Sequence, residues 1–297
     1  KVKWIFEYTN IAKKLADESN LLFGTIDTYL LWNLTGGKVH ATDYTNASRT
    51  MLYNIYDLKW DQDIFDILGI PSNIMPKVMD SNAIFGYATA LSFIDSDFNN
   101  VPIAAMIGDQ QASLFGQCCF NKGDVKNTYG TGCFMLMNTK SPVKNPEYGL
   151  LSTIAWGLDG KIDYALEGSV FIAGAGIQWL RDMMRFFSES KDCEKYLRTP
   201  NPSDGVYMVP AFVGLGTPYW DSSARGAIFG LKRNSTKDNI IAATVEAIAY
   251  QTKDVLDAMV EASNVKITTI GVDGGACVNS YLMQFQADLL GASLNRP

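Results

Sequence analysis

The sequence predicts an α/β fold in two domains, on three observations. The chain has 297 residues, about two domains at roughly 150 residues each. It is 47% hydrophobic and 19% charged, which allows a sizeable core. Strand-like and helix-like stretches alternate after residue 116, as in layered α/β folds. We therefore predict a first domain at residues 1–116 and a second at residues 117–297.

The first domain is predicted to begin with a helix, a loop and a second helix within residues 1–35, closed by Gly36-Gly37. Paired glycines end helices because they adopt left-handed backbone angles. Residues 39–54 are polar and indicate turns, whereas DQDIFDILG, residues 61–69, predicts a short amphipathic helix. Two strand-like stretches follow, and the second is predicted to be a core strand that ends at Asp109.

The second domain alternates strands and helices. Residues 123–140 predict two strands joined by a glycine turn, and residues 150–168 a hairpin through Asp159-Gly160, a favourable two-residue turn. Three further patterns predict a helix over 177–190, a long helix over 244–263, and a strand, a glycine-rich turn and a helix over 266–291. In the first of these, Ile177, Leu180, Met184 and Phe187 would share one face.

Composition excludes several classes of function. The formal net charge of −6 argues against a broad nucleic-acid surface. His40 is the only histidine, so a histidine-rich metal site is excluded. The G-x-S-x-G motif is absent, which argues against a serine hydrolase. The five cysteines form no C-x-x-C pair and are typical of reduced core cysteines. No apolar run approaches the roughly 18 residues that a membrane-spanning helix needs.

Three glycine turns and one carboxylate indicate chemistry. The turns are TYGTGCF at 128–134, IAGAGIQW at 172–179 and VDGGACVN at 272–279. Each alone is typical of an ordinary tight connection, and neither a P-loop nor a complete G-x-G-x-x-G motif is present. Together they could present backbone N–H groups to phosphates, and Asp109 could accept the proton of an attacking hydroxyl. The structural alternative for Asp109 is a helix cap that accepts hydrogen bonds from the following N–H groups.

Longer motifs carry a family resemblance. IGDQQASLFGQ, HATDYTNASRTMLYNI, NTYGTGCFMLMNT, PYWDSSARGAIFGL and VDGGACVNSYLMQFQADLLG closely resemble the FGGY family of carbohydrate kinases, in particular its glycerol kinases. The resemblance covers essentially the whole chain. It implies two actin-like, ribonuclease-H-like domains with an interdomain cleft, incomplete here at both termini. It also implies a cytoplasmic enzyme that forms a homo-oligomer, a dimer or tetramer, without nucleic acid or membrane insertion.

The resemblance further implies ATP-dependent phosphorylation of glycerol to glycerol 3-phosphate, with ATP and Mg²⁺ as cofactors and the metal ligands unassigned. Asp109 would be the catalytic base in the cleft and would contact glycerol together with Gln110 and Phe134. The nucleotide would be bound by five residues: Thr131, Gly174, Gln178, Gly275 and Asn279. Two alternatives stay open, another FGGY sugar kinase for a ketose or an aldonate, and a non-catalytic actin-like nucleotide-binding relative.

Parts of the family pattern are missing from this sequence. The D-Q-G-T-T-type phosphate hairpin at the family's N-terminus has no counterpart, nor do the Arg-Glu pair and the tyrosine that complete the glycerol site. We therefore expect an internal fragment of a longer kinase, inactive by itself.

Residues 91–107 predict how the whole protein is regulated. In bacterial relatives, this segment carries an arginine that binds fructose 1,6-bisphosphate or a histidine phosphorylated by the sugar phosphotransferase system. Here it has no Arg, Lys or His, and Asp95 and Asp97 disfavour a bisphosphate. We predict that kinase assays of the whole protein show no response to millimolar fructose 1,6-bisphosphate or to the phosphocarrier. Inhibition by the first, or a phosphohistidine formed with the second, would contradict this.

Overall fold

The computed structural model describes residues 1–89 and 100–297. It divides into two compact units. The first comprises Lys1–Gln111 and Thr153–Tyr164, and the second comprises Ala112–Ser152 and Ala165–Pro297. The domain boundary predicted near residue 116 stays a prediction, and the compact units differ from it because segment 153–164 groups with the first unit. The regulatory prediction depends partly on Asp95 and Asp97, which lie outside the described residues.

The described helices of the first unit differ from the three predicted ones in two ways: the first predicted helix is divided in two at Thr9, where the backbone is extended, and a helix at residues 44–48 is additional. They are α1 (Val2–Tyr8), α2 (Asn10–Asp17), α3 (Ile26–Leu34), α4 (Tyr44–Ser48) and α5 (Gln62–Leu68). Gly36 and Gly37 follow α3 with φ of 64° and 77°, and Gly69 ends α5 with φ of 64°, as glycines at helix ends do. Phe6, Phe65 and Ile74 belong to one buried apolar cluster that supports these helices.

The strands of the first unit are short and form three pairs. β1 (Ala41–Asp43) is parallel to β4 (Lys77–Met79), β2 (Tyr53–Asn54) is antiparallel to β3 (Lys59–Trp60), and β5 (Gly86–Ala88) is antiparallel to β6 (Val101–Ile103). The prediction of turns over 39–54 was wrong for β1 and α4. Asp43 caps α4, because its carboxylate accepts hydrogen bonds from the N–H groups of Thr45 and Asn46.

The predicted core strand ending at Asp109 was also wrong. β6 stops at Ile103, residues 104–108 have no regular structure, and Asp109 is the first residue of helix α6 (Asp109–Gly116). The reason is that backbone N–H groups in this segment donate hydrogen bonds to loop and side-chain oxygens and not to a neighbouring strand. Met106 donates to the Ser81 carbonyl at 2.9 Å, and Gly108 donates to Thr45 Oγ1 at 2.7 Å.

A six-stranded sheet forms the centre of the second unit, although the β9-β10 hairpin extends from it into segment 153–164. Its strands are β7 (Val125–Tyr129), β8 (Cys133–Asn138), β9 (Leu151–Leu158), β10 (Lys161–Val170), β13 (Thr269–Asp273) and β14 (Ser293–Asn295). Their order is β14-β13-β7-β8-β10-β9. β7, β8 and β10 are antiparallel, whereas β13 is parallel to both β7 and β14. This is the ribonuclease-H-like arrangement that the resemblance predicted.

Three helices share a core with the sheet: α7 (Gly174–Asp182), α8 (Lys237–Ser263) and α9 (Ser280–Leu290). Outside the sheet, β11 (Tyr207–Val209) pairs antiparallel with β12 (Ala227–Phe229). The long predicted helix is confirmed, and it begins earlier than residue 244 because Thr236 and Asn239 form a capping box. The helix predicted over 177–190 ends instead at Asp182. The Met184 N–H bonds the carbonyl of Trp179, five residues back, and Arg185 has φ of 56°.

Within residues 1–89 and 100–297, no helix combines the length and the apolar character that crossing a bilayer requires.

The five cysteines are free thiols in the structure, and they differ in burial, which sets how reactive each thiol is. Cys118 is exposed, whereas Cys119, Cys133, Cys193 and Cys277 are buried. Burial raises the pKa of Cys119 to about 12 and that of Cys193 to about 11. The thiolate is the reactive form, and a raised pKa keeps it scarce at pH 8.

We therefore expect iodoacetamide at pH 8 to alkylate Cys118 first in the folded chain, and the other four only after denaturation. Peptide mass spectrometry gives the order of modification. Equal rates at Cys118 and Cys193 in the folded chain would contradict it.

Candidate functional site

A cavity of about 520 Å³ opens in the second unit where four chain segments meet. These are the turn after β7, the first turns of α7, the 3-10 helix Ser190–Tyr196, and the 3-10 helix Gly275–Val278 with Asn279 after it. All five residues predicted to bind nucleotide line this one cavity: Thr131, Gly174, Gln178, Gly275 and Asn279. A separate concavity of about 610 Å³, lined by Arg181, Asp182 and their neighbours, contains none of them.

Backbone contacts hold the first two glycine turns together. The carbonyl of Thr131 accepts hydrogen bonds from the N–H groups of Ala173 at 2.8 Å and Ala175 at 3.1 Å, and the Gly174 N–H donates to the Gly130 carbonyl at 3.0 Å. A Cβ atom on Gly174 would lie only 2.6 Å from that same carbonyl oxygen. Gly174 is therefore glycine because another backbone segment approaches it closely.

The third turn contains two glycines with different surroundings. Gly274 has φ of 90°, and a Cβ there would lie 2.5 Å from the carbonyl oxygen of Tyr129. Gly275 has no heavy atom within 4 Å of such a position, so a side chain there would extend into open space in the cavity. The prediction that a glycine lets a ligand approach the backbone therefore fits Gly275. Gly274 is glycine for another reason, since the end of β7 at Tyr129 packs directly against it.

Asn279 forms one wall of the cavity with its amide held in a defined orientation. Its Oδ1 accepts the Leu282 N–H at 2.8 Å and caps α9, and its Nδ2 donates to Cys193 Sγ at 3.3 Å. Glu194 also lines the cavity, and its Oε1 accepts the Ser280 N–H at 2.6 Å. Cys193 and Glu194 were not among the predicted site residues, because no motif marks them and the predicted helix ended just before them, at residue 190.

Asp273 ends β13 directly before the third glycine turn, and its carboxylate accepts several hydrogen bonds. Ser113 Oγ donates to Oδ2 at 2.5 Å and Gln117 Nε2 at 3.3 Å. Desolvation alone would raise the pKa of Asp273, but hydrogen bonds from Ser113, Thr128 and Gln117 and the charge of buried Lys126 outweigh it and lower the pKa. This side chain is therefore a carboxylate at neutral pH.

The residues predicted to bind the acceptor are divided between the two compact units. Asp109 and Gln110 belong to the first and Phe134 to the second. Asp109 is exposed at the start of α6, and its Oδ1 accepts the Gln110 N–H at 2.7 Å. This bond is to the adjacent residue, whereas a capping side chain accepts from N–H groups two or three residues further on. It involves one carboxylate oxygen of an exposed group, so the carboxylate can still accept a proton.

Phe134 lies in the middle of the second unit's sheet. It pairs with Thr128 on β7 and Ser169 on β10. Its carbonyl accepts a hydrogen bond from Lys126 Nζ at 3.3 Å, and the same ammonium group donates to Thr128 Oγ1 at 2.8 Å. The backbone that carries Phe134 is therefore fixed by strand pairing and by a fully buried lysine.

The cavity is suited to an anionic ligand with a flat apolar part. The N-terminus of α7, with the positive end of its helix dipole, opens into it at Gly174. Ile177, Ala276 and Val278 contribute apolar surface. The positive end of a helix dipole, the Thr131 hydroxyl and these apolar side chains together suit phosphate and nucleobase binding.

Both domains of one protein family match this chain. Residues 1–116 match the N-terminal domain of the FGGY family of carbohydrate kinases, and residues 125–297 match its C-terminal domain. Glycerol kinases of Bacillus licheniformis and Bacillus subtilis are 57% and 56% identical over the whole chain. The chain spans 59% of the length of these curated relatives.

Solved structures show the same fold. The crystal structure of Plasmodium falciparum glycerol kinase with ADP superposes with a TM-score of 0.90 at 33% identity, over 99% of this chain and 58% of that one. A gluconate kinase from Lactobacillus acidophilus superposes with a TM-score of 0.83 at 22% identity, over 99% and 58% of the two chains, which is a likeness of fold alone. On the matches to both domains, this chain belongs to the FGGY family of carbohydrate kinases.

Proposed function

We propose that the whole protein transfers the γ-phosphate of ATP to glycerol and forms glycerol 3-phosphate. The observation that carries the proposal is the single cavity lined by all five residues predicted to bind nucleotide. The 57% identity of the chain to a glycerol kinase supports glycerol as the acceptor.

Each wall of the cavity has a role in this proposal. The Thr131 hydroxyl donates to phosphate oxygens at the first glycine turn, and the positive end of the α7 dipole favours their negative charge. The N–H groups at the start of α7 hold the two turns together instead, because they donate to the Gly130 and Thr131 carbonyls. Gly275 leaves room for the nucleotide to approach the backbone. Gln178 and Asn279 line the part of the cavity next to the apolar side chains, where the nucleoside is bound.

Asp109 acts as the general base. Its carboxylate accepts the proton of the attacking hydroxyl while Gln110 binds the acceptor, and Phe134 packs against the carbon chain of glycerol. Phosphoryl transfer depends on positioning and charge neutralisation more than on covalent catalysis. Asp109 is the first residue of α6, so its backbone position is defined by the helix. Its carboxylate is exposed and therefore accessible to substrate.

Mg²⁺ fits the oxygen donors at the glycine turns. No group of three metal-ligating side chains exists among residues 1–89 and 100–297. This suits an ion bound mainly through nucleotide phosphates and water, as Mg²⁺ usually is in kinases. The Thr131 hydroxyl and the Asp273 carboxylate are the donors that this chain would contribute. The ion would neutralise charge on the transferred phosphoryl group.

The proposed enzyme works in the cytoplasm, where ATP is available, and needs no nucleic acid. A homo-oligomer, dimer or tetramer, stays a prediction from the family resemblance.

A comparison of acceptors tests the proposed function. We expect ADP formation by the whole protein to depend on glycerol, with kcat/KM at least about 100-fold higher than for xylulose or gluconate, since a site built to bind substrate hydroxyls rejects misfitting ones strongly. A coupled assay of ADP release with each acceptor measures it. A preference for xylulose or gluconate would favour the sugar-kinase alternative, and ADP binding without turnover would favour the non-catalytic one.

A further inference from the structure

The segment that leads into Asp109 is held by a buried network in the first unit. We propose that Thr45, oriented by the carboxylate of Asp43, is a positioning residue for the base. This inference rests on the proposed function, in which Asp109 accepts the proton of the acceptor hydroxyl. The network lies in residues 41–48, which sequence reasoning interpreted as turns.

Asp43 is the centre of this network. The residue is 0% exposed, and no lysine or arginine of residues 1–89 and 100–297 forms an ion pair with it, which is unusual for a buried carboxylate. It accepts hydrogen bonds from Thr45 N–H and Oγ1, Asn46 N–H and Nδ2, and Ser81 Oγ, at 2.7 to 3.1 Å. These donors replace the water that the carboxylate loses on burial.

Thr45 connects this carboxylate to the approach segment. Its hydroxyl donates to Asp43 at 2.8 Å, and the same oxygen accepts the Gly108 N–H at 2.7 Å. Because the proton of the hydroxyl is directed at Asp43, its lone pairs face Gly108. A hydroxyl hydrogen-bonded to a carboxylate is also a better acceptor, because hydrogen bonds in a chain polarise one another.

Gly108 directly precedes Asp109, so this bond fixes the Ile107–Gly108 peptide, one peptide unit before the residue that carries the base. Two further contacts in the same unit hold the flanking backbone. The Met106 N–H donates to the Ser81 carbonyl at 2.9 Å, and Gln111 Nε2 donates to the Ile154 carbonyl at 3.3 Å. Ser81 therefore joins the approach segment to Asp43 through its hydroxyl and its carbonyl at once. The arrangement compensates for the absence of strand pairing over residues 104–108.

The network matters because a general base acts only within hydrogen-bond reach of the proton it removes. Displacement by about 1 Å can lower the rate about 100-fold. Release of the Gly108 N–H would allow such a shift, while the nucleotide cavity in the other unit would keep its own contacts. The expected signature is a loss in kcat with little change in the KM for ATP.

Two substitutions at Thr45 separate positioning from packing. Thr45→Val keeps the branched shape and removes the hydroxyl, whereas Thr45→Ser keeps the hydroxyl and removes a methyl group. In the whole protein, we expect Thr45→Val to lower kcat by about 10- to 100-fold with the KM for ATP within about 3-fold, and Thr45→Ser to keep kcat within about 3-fold. Thr50→Val is the matched control. It removes a hydroxyl bonded to Ala47 and Leu52 in the same segment and should leave kcat unchanged.

Amide hydrogen exchange at Gly108 gives a readout independent of turnover. Protection should fall at least about 10-fold in Thr45→Val and persist in Thr45→Ser, as expected for loss of a single tether. Unchanged kcat and unchanged Gly108 protection in Thr45→Val would overturn the inference. Equal kcat losses in Thr45→Val and Thr50→Val, which would indicate general destabilisation, would also overturn it. A wild-type protein that does not phosphorylate glycerol would instead overturn the proposed function. In that case, amide exchange at Gly108 would still show whether Thr45 holds this backbone segment.

Discussion

Replacement of Asp109 by Asn in the whole protein should lower kcat for glycerol phosphorylation by about 10²- to 10⁴-fold, the usual contribution of general base catalysis. Asn has nearly the same shape and can still accept the Gln110 N–H bond that Asp109 makes. It cannot accept a proton from glycerol. Affinity for ADP should change by less than about 3-fold, because no wall of the nucleotide cavity includes Asp109.

Asp257→Asn is a suitable control for this substitution. It makes the same chemical change at an exposed ion pair with Lys253, and surface pairs of this kind contribute little to stability. Steady-state kinetics with varied glycerol and ATP would separate kcat from the two KM values. More than a third of wild-type kcat in Asp109→Asn would contradict the assignment of the base.

Substitution of Gly275 should abolish most nucleotide binding while the fold stays intact. A Cβ atom at this position would have no heavy atom within 4 Å, so we expect Gly275→Leu to leave the packing of the protein intact. The new side chain would extend into the cavity that we assign to ATP. Overpacking a formed site costs typically about 1–3 kcal/mol, which corresponds to a roughly 10- to 100-fold loss of affinity.

Calorimetry of ADP binding, with thermal unfolding measured in parallel, tests this expectation. Gly116→Leu is the matched control, since a side chain at Gly116 also has open space and does not line the cavity. It should bind ADP like the wild type. Gly275→Leu with wild-type affinity would place the nucleotide elsewhere, and a large fall in its melting temperature would mean that the position is not open.

The sequence predicted the second unit better than the first. Its helices and strands are long and regularly patterned. The Asp159-Gly160 turn, at the end of the β9-β10 hairpin that groups with the first unit, was also predicted, and its two residues have left-handed φ angles of 51° and 76°, as this hairpin type requires. Each of these signals is local. Within residues 1–89 and 100–111, the strands of the first unit have only two or three residues, which is too short for alternation to be detected.

The errors near the site have a common physical cause. Residues 101–109 indicated one strand, but the strand stops at Ile103, and the N–H groups of Met106 and Gly108 bond to Ser81 and Thr45, which are distant in sequence. Asp43 belongs to a polar stretch that indicated turns, and its burial follows only from the donors that surround it. The third wall of the cavity, with Cys193 and Glu194, similarly depends on where the chain turns after Asp182. Tertiary contacts of this kind leave no periodic pattern in a sequence.

The most direct test of the central claim is a phosphorus NMR spectrum of the whole protein with ATP, Mg²⁺ and glycerol. We expect a new phosphomonoester signal from glycerol 3-phosphate that grows by the same amount as the γ-phosphate signal of ATP falls. Inorganic phosphate as the sole product, or an unchanged spectrum under conditions where the protein binds ADP, would contradict it.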